Sequence, residues 1–96
     1  MEPTAEPTIT IVRGGVEYAR VALRGPLDHD TAQRLRTQLG RVLDTGARYL
    51  TVDLSDVTRC DESVLELLGW AARRAASRQG WLALTGGHHH IRFTVR

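Results

Sequence analysis

The chain has 96 residues, a hydrophobic fraction of 42% and a formal net charge of +2, a size and composition that suit one small globular domain. No apolar run reaches the roughly 20 residues of a membrane-spanning helix. All 13 basic residues are Arg, spread from Arg13 to Arg96, and only 5% of residues are aromatic, so we expect neither a nucleic acid nor a membrane as partner.

The N-terminal part predicts a short leader followed by a hairpin. Residues 1–7 carry two Pro and two Glu and are expected to be a disordered leader, not a signal peptide. One domain is expected over residues 8–96. Residues 8–13 alternate in polarity and predict a strand, and residues 16–25 predict a second strand with Val16 and Tyr18 at apolar positions. The Gly pair at 14–15 predicts a two-residue link between them.

The segment after the second predicted strand has the periodicity of an α-helix. Apolar residues recur at helical spacing at Ala32, Leu35, Leu39, Val42 and Leu43. Asp28, Asp30 and Thr31 offer N-terminal caps, and Gly46 offers a stop. Gly40 inside the helix costs about 1 kcal/mol relative to Ala, which predicts close packing at that position. Residues 48–57 predict the next strand.

The remaining elements complete a mixed sheet. A second helix is expected from about residue 61 to 79, with Gly80 as its stop, and residues 81–86 predict another strand. Residues 88–96 fit either a helix stub or a final strand. Helices between strands imply parallel crossovers, so we predict an α/β fold. Its small mixed sheet has four to five strands, with two to three helices mainly on one face.

The start of the second helix, Cys60 to Ser63, allows two interpretations. In the first, Asp61 is only an N-cap, Glu62 complements the helix dipole, and Ser63 is a tolerated polar residue. In the second, Ser63 is a modification site, because the free N–H groups and dipole at a helix start favour a phosphate there. Residue types alone leave both interpretations open.

Two segments narrow that choice. These segments, with the predicted strand that follows them, resemble the STAS domain of bacterial anti-sigma factor antagonists of the SpoIIAA-like kind. They are LRGPLDHDTAQRLRTQL (23–39) and YLTVDLSDVTRCDESVLELLGWAARRA (49–75), and the strand is GWLALTG (80–86). The resemblance implies that Ser63 is the phosphorylated residue and that Asp61 and Asp28 lie beside it. It also implies a non-enzyme that binds an anti-sigma factor Ser/Thr kinase, is switched off by phosphorylation, and is reset by a phosphatase in the cytoplasm.

The chain departs from the family pattern at three places. Glu62 replaces a small hydroxyl residue and Val64 replaces a Gly. With these two replacements, the partner-binding residues that the resemblance implies are Asp28, Asp61, Glu62 and Val64. We expect Val64 to fill the space through which a partner approaches. The C-terminal part is shorter than usual, which predicts exposed apolar surface near Trp81 and self-association into a homodimer. Glu62 and Val64 favour an alternative, a STAS-type interaction or scaffold domain without phosphorylation, whereas Ser63, Asp61 and Asp28 favour the phosphorylated antagonist.

Other polar groups suggest weaker hypotheses. Imidazole is a common metal ligand, so His88, His89 and His90 with Cys60 suggest a metal site, but consecutive residues do not easily face one ion. Asp53 and Asp56 with Asp61 are interpreted as loop caps instead of a magnesium site. Ser63 lacks the elbow motif and partners of a catalytic nucleophile. We therefore predict no catalytic residue, metal or cofactor.

Overall fold

The fold was analysed in a computed structural model, which describes residues 6–86. Its elements are β1 (Thr8–Gly14), β2 (Tyr18–Leu27), α1 (His29–Asp44), β3 (Tyr49–Cys60), α2 (Glu62–Ala76) and β4 (Trp81–Thr85). The two alternatives for residues 88–96, the three consecutive His residues and most of the leader lie outside the described residues. Neither helix within residues 6–86 is long and apolar enough to cross a membrane.

The four strands form one mixed sheet in the order β1-β2-β3-β4. β1 and β2 pair antiparallel, while β2 with β3 and β3 with β4 pair parallel. The two crossovers advance across the sheet in the same direction, and right-handed connections then place both helices on one face. Contacts between α1 and α2 agree with that placement. The predicted mixed sheet with helices on one face is confirmed.

The core lies between the sheet and the helices. Every odd-numbered residue of β2 points toward the helices and is buried, whereas Ile9 and Ile11 on β1 and Leu82 on β4 are only partly buried. The large side chains buried beyond 98% include Val21, Leu23, Leu27, Leu35, Leu39, Leu43, Leu50, Val52, Leu54 and Val64. Each contributes about 1.5–3 kcal/mol by leaving water.

The hairpin differs from the predicted one. β2 starts at Tyr18, so the connection is three residues, 15–17, and begins at Gly15 with φ of +83°. Val16 lies in this loop with 66% of its surface exposed, and Tyr18 points away from the helices. Alternation along a strand has a period of two, so the buried Ala19 and Val21 set a phase that excludes Tyr18 from the core.

Three further boundaries or packing expectations change. β3 continues to Cys60, beyond the predicted end at residue 57, and α2 ends at Ala76, before the predicted end at 79. Gly80 is needed for a different reason than helix termination: a Cβ there would lie 1.8 Å from the carbonyl oxygen of Arg48. The close packing predicted at Gly40 is wrong, because no atom lies within 4 Å of a Cβ built there.

Candidate functional site

The two helices begin beside each other at one end of the sheet. Leu27 at the end of β2 is the register partner of Cys60 at the end of β3, and the N–H of Asp61 donates to the carbonyl of Leu27 at 2.8 Å. Asp28 caps α1 and Asp61 caps α2. Neighbouring parallel strands end at the same edge, so their following helix starts are brought together.

At the start of α2, one carboxylate oxygen holds Ser63 through two hydrogen bonds. The Ser63 backbone N–H donates to Asp61 Oδ2 at 2.9 Å, and the Ser63 hydroxyl donates to the same oxygen at 2.5 Å. These bonds, the hydroxyl one first, lower the pKa of Asp61 below its ordinary value. Asp61 is therefore charged at neutral pH and fixes the direction of the Ser63 hydroxyl.

The start of α1 has the same arrangement around Thr31. Its N–H and its hydroxyl donate to Asp28 Oδ1 at 2.8 Å and 2.7 Å. The hydroxyl bond and then the backbone bond lower the pKa of Asp28. Thr31 itself is 0% exposed, so its hydroxyl is inaccessible to another protein. Asp28 thus acts locally as a helix cap, in addition to lying near Asp61.

Ser63, in contrast, is only partly buried and opens into a recess of about 220 Å³ between the helices. The recess is lined by His29, Ala32, Gln33, Arg36, Ser63, Glu66, Leu67 and Trp70. The guanidinium carbon of Arg36 lies 5.3 Å from the centre of the Trp70 ring, and that of Arg74 lies 5.5 Å from the same ring. A partner that reaches Ser63 therefore meets an aromatic surface with cationic flanks.

The recess contains residues that the sequence analysis did not select. Trp70 follows Ser63 by seven residues, which is two helical turns, so a helical projection of α2 places both on one face. Arg36 comes from α1, and its position against Trp70 depends on how the two helices pack. Helical spacing can therefore reveal the first residue but not the second.

The remaining predicted site residues occupy different environments. Glu62 is exposed in the first turn of α2. Val64 is 0% exposed and belongs to the core, which corrects the expectation that its side chain fills the approach to Ser63. Cys60 is half-buried at the end of β3, and burial followed by the nearby Asp61 raises the pKa of its thiol to about 11. The thiol is therefore protonated at neutral pH.

The other carboxylates have local partners. Asp53 accepts hydrogen bonds from the N–H and hydroxyl of Ser55 at 2.9 and 2.6 Å, and it pairs with Arg20 at 2.9 Å. Asp56 lies 3.9 Å from Arg24. Within residues 6–86, no group of three or more His, Cys, Asp or Glu is placed to hold a metal ion.

Comparison with known proteins gives one family and several similar folds. A family model described as "Mlab, STAS domain" matches residues 12–96. The anti-sigma factor antagonist SpoIIAA in its unphosphorylated form is similar, with a TM-score of 0.74, 18% identity, and coverage of 80% of this chain and 71% of that one. The Bacillus cell fate determinant SpoIIAA in its phosphorylated form gives 0.71, 16% identity, and coverage of 78% and 68%.

A third similar structure is an anti-sigma factor antagonist from Mycobacterium paratuberculosis. Its TM-score is 0.71 at 22% identity, with coverage of 82% of this chain and 66% of that one. No curated protein matches the chain. At these identities the structural likeness establishes the fold, while the family model covers most of the sequence.

Proposed function

The chain belongs to the STAS domain family, and from that premise we propose that it is an anti-sigma factor antagonist. It binds an anti-sigma factor that is a Ser/Thr kinase, and phosphorylation at Ser63 switches the binding off. Transcription is thereby regulated through a sigma factor. Similar folds in named anti-sigma factor antagonists, one of them phosphorylated, support this proposal.

The observation that carries the proposal is the accessible, oriented hydroxyl of Ser63. It lies in the first turn of α2 and opens into the recess between the helices. Its bond to Asp61 directs the proton toward a carboxylate and leaves the oxygen lone pairs available for attack on a phosphoryl group. Asp61 is thus proposed as a positioning residue for the transfer, with Asp28 and Glu62 on the surrounding partner-binding surface.

Phosphorylation would change this corner in two ways. The hydroxyl proton is lost, so the hydrogen bond from the Ser63 hydroxyl to Asp61 cannot persist. The phosphate also places nearly two negative charges beside that carboxylate. Exposed Glu62 and the recess residue Glu66 add further negative charge nearby. A partner surface that packs closely against the unmodified hydroxyl is then opposed by the volume and the desolvation cost of the phosphate, which accounts for the switch without any refolding.

The second candidate function is a STAS-type interaction or scaffold domain that is not phosphorylated. The observation that favours it is the acidic surrounding of Ser63, since Glu62 and Asp61 oppose the addition of a phosphate. In that case the recess still receives a partner, but a negative charge at position 63 has little effect on affinity.

The test is the intact mass of the protein after incubation with Mg-ATP and candidate anti-sigma kinases from the same genome. The proposal expects one added phosphate that Ser63→Ala lacks. Ser55→Ala is a matched control, because Ser55 is exposed and bonded to Asp53 as Ser63 is to Asp61, yet it lies outside a helix start. This variant should still be phosphorylated once.

Binding separates the two candidate functions. Ser63→Glu should weaken the complex with the kinase by on the order of tenfold or more, equivalent to at least about 1.4 kcal/mol. A stable complex that is never phosphorylated and tolerates Ser63→Glu would instead support the scaffold function. If no candidate kinase phosphorylates the protein and none forms a complex with it, the proposal is contradicted.

A further inference from the structure

The face of the sheet opposite the helices, termed here the open face, is not covered by any element that the structure describes. Its side chains follow from the strand register, which arranges them in five rows across the sheet. The first row contains Gly14, Tyr18, Tyr49 and Trp81; the second Val12, Arg20, Thr51 and Ala83; the third Thr10, Ala22, Asp53 and Thr85; the fourth Thr8, Arg24 and Asp56; the fifth Pro26 and Arg59.

The open face exposes large apolar groups at both of its edges. Val12 on β1 is 59% exposed, and Trp81 on β4 is 46% exposed. Trp81 continues an aromatic row, because its ring centre lies 5.5 Å from that of Tyr49. Exposed apolar surface of this kind typically marks an interaction site.

The open face carries charges of both signs. Arg20 pairs with Asp53 at 2.9 Å, Arg24 lies 3.9 Å from Asp56, and the exposed Arg59 adds a third positive charge in the fifth row. Because a two-fold axis can bring unlike charges of the two copies opposite each other, a surface that carries both signs is complementary to itself, as such an interface requires.

We propose that the open face is the interface of a homodimer. In it, two sheets pack face to face about a two-fold axis that runs along the strands, between β2 and β3. This axis places β1 of one copy opposite β4 of the second copy, and β2 opposite β3. Sheets packed in this way lie about 10 Å apart, with their strands nearly aligned.

The register brings aromatic side chains of the two copies together. In the first row, Trp81 of the second copy lies opposite Gly14, over which the Tyr18 ring of the first copy lies, since a Cβ at Gly14 would be 2.8 Å from Tyr18 Cδ2. Tyr18 lies opposite Tyr49 of the second copy. Aromatic rings that pack in this way bury large apolar areas.

The same axis makes the two copies complementary in charge. Arg20 comes opposite Thr51 of the second copy, one row from its Asp53. Arg20 and Asp53 of the same chain are also one row apart along the strands, and their side chains pair at 2.9 Å. Only one nitrogen of the Arg20 guanidinium bonds that carboxylate, so the others remain able to donate across the interface.

The dimer leaves the recess at Ser63 free. Both helices lie on the other face of each sheet, so the dimer presents two recesses on its two outer surfaces. The dimer is independent of phosphorylation, and either proposal stands if the other fails.

Sedimentation equilibrium of the full chain from about 1 μM to about 1 mM tests the proposal. The expected result is a shift from 10.7 kDa to twice that mass as concentration rises. Arg20→Asp and Asp53→Arg should each remain monomeric, because like charges then face each other. An equimolar mixture of these two variants should associate again, since each Arg then faces an Asp of the other chain.

Two apolar substitutions provide a matched comparison. Trp81→Ser should weaken the dimer at least tenfold, whereas Val16→Ser should leave it unchanged, since Val16 is 66% exposed but lies in the hairpin loop. Circular dichroism verifies that each variant is folded. A wild-type chain that stays at 10.7 kDa at every concentration overturns the proposal. This outcome includes the case in which residues 87–96 of the same chain cover the open face. A mixture of the charge variants that stays monomeric also overturns it.

Discussion

The two helix starts have the same local chemistry but different surroundings. In each, an Asp cap accepts the backbone N–H and the hydroxyl of a residue in the first turn: Thr31 at Asp28 and Ser63 at Asp61. In each, these bonds lower the pKa of the capping carboxylate. Thr31 is completely buried, whereas Ser63 opens into the recess between the helices.

This difference shows that capping and accessibility are separate properties. The cap accounts for why Asp precedes a hydroxyl residue at both sites, and it requires no further function at either. Exposure is what makes one hydroxyl available to a kinase. A substitution that adds charge, removes volume or removes the hydroxyl should therefore act differently at the two starts.

A carboxylate introduced at the two hydroxyl positions should give the largest contrast. Thr31→Glu places a charge where no water reaches, which costs several kcal/mol out of a total stability of about 5–15 kcal/mol. We expect it to abolish cooperative unfolding, while Ser63→Glu keeps the fold. Thermal unfolding followed by circular dichroism measures both, and a Thr31→Glu variant as stable as wild type would show that the site is open.

Val64 and Glu62 lie two residues apart in the first turn of α2 and provide the next contrast. Val64→Ala should reduce the free energy of unfolding by about 2 kcal/mol, because a fully buried side chain loses two carbons. Glu62→Ala should stay within about 0.5 kcal/mol, because Glu62 is exposed. Urea unfolding measures both values. Equal effects at the two positions would contradict the burial difference.

Removal of each hydroxyl should produce a smaller effect. Thr31→Val keeps the shape but loses the bond to Asp28, which should cost about 1 kcal/mol and lower the melting temperature by about 5 °C. Ser63→Ala should change stability by less than about 0.5 kcal/mol, since water replaces the lost group. A larger loss at Ser63 than at Thr31 would mean that the recess is closed in solution.

The pH dependence should show the smallest effect, and it should be specific to one cap. The Ser63 hydroxyl is the first cause of the lowered pKa of Asp61, so Ser63→Ala should raise that pKa toward its ordinary value of 3.8 and leave that of Asp28 unchanged. A lowered pKa in the folded state adds stability above about pH 3.8, which is lost as the pH falls through the lowered value.

Carbon-detected NMR titration of both carboxyl groups measures these pKa values. The stability difference between wild type and Ser63→Ala should disappear in acid, once Asp61 is protonated in both. An unchanged Asp61 pKa in Ser63→Ala would show that the backbone N–H alone lowers it.

Much of the fold could be predicted from local patterns. The helical spacing from Ala32 to Leu43 and the Asp caps correctly located both helix starts, because periodicity and capping depend on neighbouring residues. The errors occurred where distant contacts decide. The need for Gly80 depends on the approach of Arg48, which lies in a different part of the chain.

The same distinction between local patterns and distant contacts applies to the candidate site. The residue pattern was enough to predict that Ser63 follows an Asp at a helix start, since that relation spans three residues. Only the packing of the elements shows that Thr31 and Val64 are buried while Ser63 is open, and that Arg36 lies against Trp70. Burial depends on which surfaces the sheet and the second helix cover, and no local pattern specifies how distant elements pack.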